Sequence, residues 1–182
     1  MKTLAAASAG LVLVVVLAAG GAAKQVKPAA PPPAASGGGG AATGPPVPGA
    51  VLSQGFGCTA FALEPPDDRC ADLGGHFHSG IDLAAPAGTP VLAPAGGRAG
   101  TGYQAEGCGL YAFVDHGAGW STVYCHLSAL AVASGEAVAP DEELGEVGSS
   151  GNSSGPHLHF EVHRAGVPID PLGWLASLGA VT

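Results

Sequence analysis

From Val51 onward, apolar residues alternate with polar ones over short runs, and Gly, Pro and Asp break the runs at close spacing. Alternation with a period of two marks half-buried strands. In "HLHFEV", Leu158, Phe160 and Val162 point to one side, while His157, His159 and Glu161 point to the other. The stretch "LYAFVDHGAGWSTVYCHL" predicts a hairpin. Tyr111, Phe113 and Val114 lead into a turn at His116–Gly119, Trp120–Tyr124 return, and His126 ends the second strand. "TPVLAPAGGRAG" predicts one strand running into a glycine-rich turn. No long segment carries apolar residues at a spacing of 3.6, and the prolines at 86, 90, 94, 140, 156, 168 and 171 would break a helix. Only "PLGWLASLGA" near the C-terminus predicts a short helix. The expected fold is a small, mostly β, antiparallel domain.

Composition divides the chain. Its 182 residues suggest one domain. Residues 1–23 carry Lys2 near the start and then an apolar stretch centred on "LVLVVVLAAG", as a signal peptide does; from Leu4 to Ala23, about 20 residues, it is also long enough for an uncleaved membrane anchor. No cysteine lies near residue 20, which argues against a lipoprotein. Residues 24–50, "KQVKPAAPPPAASGGGGAATGPPVPGA", read as a disordered linker, and 51–182 as the folded domain. Either reading of the N-terminus puts the domain outside the cytoplasm, secreted or tethered.

Charge narrows the partners. The net charge is −8, and all 14 acids lie from Glu64 onward, where only Arg69, Arg98 and Arg164 oppose them. No basic stripe is available to neutralise phosphates, so nucleic acid is not expected as a partner. A monomer is expected. The four cysteines, Cys58, Cys70, Cys108 and Cys125, are an even number in an exported chain and contain no C-x-x-C pair, which favours disulfides over a zinc ribbon. If Asp115 and Trp120 close the hairpin, Leu110 faces Cys125 and Cys108 lies diagonally across from it. That register predicts Cys108–Cys125 and leaves Cys58–Cys70 to close a small loop.

Histidine carries the candidate chemistry. His157 and His159 stand on one face of a strand, roughly 6–7 Å apart at Cα. In "HFHSGIDLAAP", Asp82 sits between Ile81 and Leu83, where a carboxylate without a partner is costly to bury. A catalytic zinc takes three protein ligands and keeps one position open. His78, Asp82 and one histidine of the His157/His159 pair make such a set, and the other histidine and His126 remain for acid–base work and oxyanion stabilisation. Glu161, on the same face, is a candidate to orient a ligand imidazole. His76, His116 and His163 are expected to be solvated or in turns, with His163 past the strand end.

The blocks "FHSGIDLAAPAGTPVLAPAGG", "VDHGAGWSTVYCHLS" and "GSSGNSSGPHLHFEV" resemble, in order, the signature blocks of lysostaphin-type (LytM-like) zinc metallopeptidases, which are peptidoglycan endopeptidases. The resemblance covers about Phe77–Val162. It implies the family's open-grooved β fold, a duplicated hybrid motif, with zinc on His78, Asp82 and His159 and with His126 and His157 as the catalytic pair. It also implies peptidoglycan stem or cross-link peptides as substrate, at a D-Ala-containing bond rather than a pentaglycine bridge. The glycine-rich runs "GSSGNSSGP" and "AGGRAGTG" suggest groove rims that suit small residues. Two readings compete with an endopeptidase: a non-catalytic wall-binding module on the same scaffold, and an iron oxygenase, which also uses two histidines and a carboxylate.

Overall fold

The computed structural model describes residues 43–180. The N-terminal signal or anchor segment and the linker up to residue 42 lie outside the described residues. Twelve strands follow in order: β1 (Val51–Gln54), β2 (Gly57–Thr59), β3 (His76–His78), β4 (Ile81–Ala84), β5 (Pro90–Leu92), β6 (Gly97–Gln104), β7 (Gly109–Gly117), β8 (Trp120–Leu130), β9 (Ala137–Val138), β10 (Glu143–Val147), β11 (His157–Arg164) and β12 (Val167–Ile169). A 3-10 turn at Asp68–Leu73 lies between β2 and β3, and helix α1 (Pro171–Leu178) closes the domain.

Ten strands form one antiparallel sheet with the path β1-β4-β11-β8-β7-β6-β9; β10 joins β5 to β8, and β12 extends β11. β2 and β3 make a separate ribbon. The alternation in β11 holds: Leu158, Phe160 and Val162 are fully buried. They pack with Ile81, Leu83, Tyr124, Trp174 and Leu175 in a single core. Helix α1 is capped by Asp170, whose carboxylate accepts from the Leu172 N–H, and it buries Trp174 and Leu175.

The structure differs from the sequence expectations in four places. The hairpin register is shifted: Asp115 pairs with Ser121 and Leu110 with Leu127, with irregularities at both ends of β7. Strand β8 runs on to Leu130, and His126 lies inside it with a left-handed backbone, φ 65°. The segment expected to be a glycine-rich turn is strand β6, because Gly100 and Gly102 pair with Phe113 and Tyr111 and lie under their rings; a Cβ at Gly100 would come within 2.2 Å of the Phe113 ring. Finally, the chain is already packed before Val51. Val47 is buried in the core and the Pro46 carbonyl accepts from Leu92 N–H.

Gly80 links β3 to β4, and a Cβ there would come within 2.3 Å of the Phe160 carbonyl oxygen. That close approach brings His78 over Asp82. Gly80→Ala should therefore destabilise the domain by about 1–3 kcal/mol, the usual range for overpacking. Chemical denaturation of the two proteins measures it.

Candidate metal centre and groove

Antiparallel pairing builds the centre. β4 and β11 are in register such that Asp82 lies directly opposite His159, and on the core side Leu83 opposes Leu158. His78 enters from the end of β3. Three side-chain atoms then converge: His78 Nε2 is 3.1 Å from Asp82 Oδ1, His159 Nδ1 is 3.0 Å from the same oxygen, and the two nitrogens are 2.9 Å apart. His78 is fully buried, and Asp82 and His159 are nearly so.

The outer nitrogens decide what the inner ones offer. His78 Nδ1–H donates to the Gly55 carbonyl at 2.7 Å, and His159 Nε2–H donates to Glu161 Oε1 at 3.1 Å. Each neutral ring therefore turns its lone pair inward, next to a carboxylate oxygen. Such a set of acceptors needs a positive charge at its centre. In the metal-free protein that charge is a proton. Burial works against it, but the hydrogen bonds to Asp82 and Glu161 raise His159 to about 9. Burial likewise works to raise Asp82, and the His159 and His78 contacts outweigh it and hold the carboxyl well below its ordinary range. Two imidazole nitrogens and a carboxylate oxygen, with lone pairs aimed inward and outer N–H groups anchored, fit a divalent transition metal.

Two more imidazoles stand beside this cluster. His126 Nδ1–H donates to the Ser150 carbonyl at 2.8 Å, and His157 Nδ1–H donates to the Gly155 carbonyl at 2.8 Å. Their rings are 4.7 Å apart, and His157 Nε2 is 3.6 Å from Asp82 Oδ1. His126 reaches this position through the irregularity in β8. Trp120, Thr122 and Tyr124 face the core, and regular alternation would send residue 126 there too. The left-handed residue reverses the parity, so that Leu127 enters the core and His126 faces the groove. Its backbone N–H donates to the Cys108 carbonyl at 2.7 Å, beside the Cys108–Cys125 disulfide. Burial, and then the charges of His157 and His159, lower His126 to about 4 against the opposing Ser150 contact.

Both disulfides have the expected pairing, Cys58–Cys70 and Cys108–Cys125. The first closes a loop that forms one wall of the groove. The Leu63 carbonyl accepts from Asn152 Nδ2, whose backbone N–H donates to the Gly107 carbonyl, so three walls meet at Asn152. The groove is about 760 Å³ and includes Ser153, Ser154, Gly155 and Pro156 from the first predicted rim. The second predicted rim, "AGGRAGTG", does not line it. Those residues belong to β6 and the turn before it, and only Gln104 at the strand's far end reaches the groove.

The other histidines are structural. His163 lies within β11 and donates to Glu161 Oε2, rather than being solvated beyond the strand end. His116 bridges the Gly96 carbonyl and Thr122 Oγ1, and burial lowers it. His76 Nδ1–H donates to the Glu64 carbonyl. Glu64 and Gln54 were missed as groove residues; Asn152 falls within the first predicted rim. The two missed residues sit in segments with no periodic signal, and only the folded loops bring them to the site.

The model of peptidase family M23 matches residues 76–171. The DD-carboxypeptidase/endopeptidase Mpg of Neisseria meningitidis serogroup B is 45% identical over 96 residues, which is 53% of this chain and 22% of that protein. The match spans 20–22% of the length of curated relatives of this kind. Among solved structures, the catalytic domain of the antimicrobial peptidase lysostaphin from Staphylococcus simulans aligns with a TM-score of 0.60 at 27% identity, over 70% of this chain and 92% of that one. A zinc-containing peptidase from Vibrio cholerae aligns with a TM-score of 0.59 at 27% identity, over 71% of this chain and 39% of that one.

Metal uptake should expel a proton. Below pH 9 His159 carries the proton that a metal must replace, so affinity rises with pH by about tenfold per unit and levels off above about 9. Titration calorimetry in buffers of different ionisation enthalpy should find about one proton released per ion at pH 7.

Proposed function

This chain belongs to peptidase family M23, and on that premise we propose that it is a zinc-dependent endopeptidase hydrolysing peptide bonds of bacterial cell-wall peptidoglycan. The observation that carries the proposal is the convergence of His78 Nε2, Asp82 Oδ1 and His159 Nδ1 on one point, with two further imidazoles beside it in an open groove. His78, Asp82 and His159 would hold the ion, and the zinc-containing Vibrio cholerae peptidase supports zinc as its identity. Bound zinc supplies Lewis acidity, making water a competent nucleophile at neutral pH and polarising a carbonyl.

The chain's own residues do the rest. His126 has its Nδ1–H tied to the Ser150 carbonyl, so Nε2 is its free acceptor. Because it titrates near 4, it is neutral and able to take a proton from the attacking water over the physiological range. His157, tied at Nδ1 to the Gly155 carbonyl, presents Nε2 on the same side. From that nitrogen it can hydrogen-bond the developing oxyanion. The proton taken from water passes to the leaving amine. Glu161 holds the His159 tautomer and is itself anchored by Ser79 and His163. The small residues of the 153–156 rim favour a scissile bond flanked by small side chains, such as a D-Ala-containing stem or cross-link bond.

Digestion of purified sacculi should release new amino termini and no new reducing sugar ends; new reducing ends would mean a glycosidase and overturn the reading. Elemental analysis should find one zinc per chain, and iron in its place would exclude the assignment. His126→Ala and His157→Ala should retain the metal and lose about two to three orders of magnitude in kcat/KM. The base is available above its pKa and lost as pH falls through about 4, so the His126→Ala defect should be undiminished at roughly pH 5.5.

A further inference from the structure

Glu64 sits on the groove wall within the loop closed by Cys58–Cys70. Its side chain is only 15% exposed, and Oε1 lies 3.9 Å from His78 Nε2, the nitrogen that faces the centre. The carboxylate is held in place: Gln54 Nε2 donates to Oε1 at 3.2 Å, the Glu64 carbonyl accepts from His76, and the neighbouring carbonyls of Leu63 and Pro65 accept from Asn152 and Phe77. One peptide residue spans roughly 3.3–3.6 Å, so this carboxylate lies within about one substrate residue of the bond being cut.

No lysine or arginine of the described residues offsets it, and none lines the groove. Arg69 pairs with Asp67, Arg98 donates to the Gly135 carbonyl, and Arg164 lies over the Trp120 ring. The lining carries four carboxylates, from Glu64, Asp82, Glu106 and Glu161. They outnumber the two charges of a divalent cation. A peptide whose free carboxylate lies next to the scissile bond would set like charges a few ångströms apart in a half-buried place, where repulsion is only partly screened.

We infer that Glu64 is a specificity-determining residue that excludes peptides ending in a free carboxylate beside the scissile bond, so the groove acts on internal bonds and not on terminal residues. This rests on the hydrolytic reading of the same groove and deepens it: the substrate class is a cross-link or other peptide whose chain continues past the cut, or whose end is neutral.

The test uses the full-length zinc-loaded protein and two peptides of one sequence, ending one residue beyond the cleavable amide as a free carboxylate or as a carboxamide. Calorimetry measures binding and mass spectrometry measures cleavage. The carboxamide should bind at least about tenfold more tightly at low salt. The ratio should fall to about threefold or less in Glu64→Gln, and should also narrow in the unsubstituted protein at roughly 0.5 M salt, which keeps the test valid if the variant folds poorly. Equal affinity with cleavage of both peptides overturns this inference and leaves the hydrolase reading standing. A tenfold gap in binding without cleavage of either peptide does the reverse. Binding of neither, a gap that a folded Glu64→Gln leaves unchanged, or a gap in the unsubstituted protein that salt leaves unchanged overturns the inference.

Discussion

The site depends on one electrostatic constraint: three electron-pair donors face one another, and they are stable only around a positive charge. Gly55 and Glu161 take the outer N–H groups of His78 and His159, so both rings must turn their lone pairs toward Asp82. An unpaired buried carboxylate at position 82, between two fully buried apolar residues, would cost several kcal/mol. The proton on His159, or a metal ion in its place, removes that cost. The same arrangement that makes the cluster unstable without a cation makes it a tight site for one.

The sheet supplies the precision. Asp82 and His159 oppose each other because β4 and β11 pair in a register that also stacks Leu83 against Leu158 in the core. A slip of one residue would exchange core and site faces together, so hydrophobic burial of the one guarantees the position of the other. His126 obeys a different rule. It departs from the alternation of β8 by a left-handed residue, held by the Cys108 carbonyl, the Ser150 carbonyl and a neighbouring disulfide. Non-glycine residues in that conformation persist where the surroundings over-determine them.

The walls of the groove are loops without much secondary structure, yet they are fixed. The Cys58–Cys70 bridge closes one, Cys108–Cys125 pins another, and Asn152 joins both to the segment that precedes β11. A domain with few charged residues and little helix thus ties the walls of its groove together by covalent and hydrogen bonds, while core packing sets the register of the centre. The outcome is an acidic groove, with the arginines of the described residues placed elsewhere on the fold.

Alternation in "HLHFEV" was enough to place His157, His159 and Glu161 on one face, because strand parity is a local property of the backbone. The mostly β class, the short C-terminal helix and the histidine-rich blocks were legible for the same reason. The disulfide pairing came out as expected even though the hairpin register behind it was off, since the two cysteines remain neighbours in either register. Tertiary structure alone decided which ring nitrogens of His78 and His126 face inward, because their orienting carbonyls come from distant segments: Gly55 for His78, Ser150 for His126. It alone decided that the glycines of β6 form a strand under aromatic rings, and that Val47 belongs to the core. Glu64 could not be seen from its own neighbours in "LEPPDD". Its closeness to His78 follows from a disulfide-closed loop folding back across the sheet, a long-range contact that no local periodicity encodes.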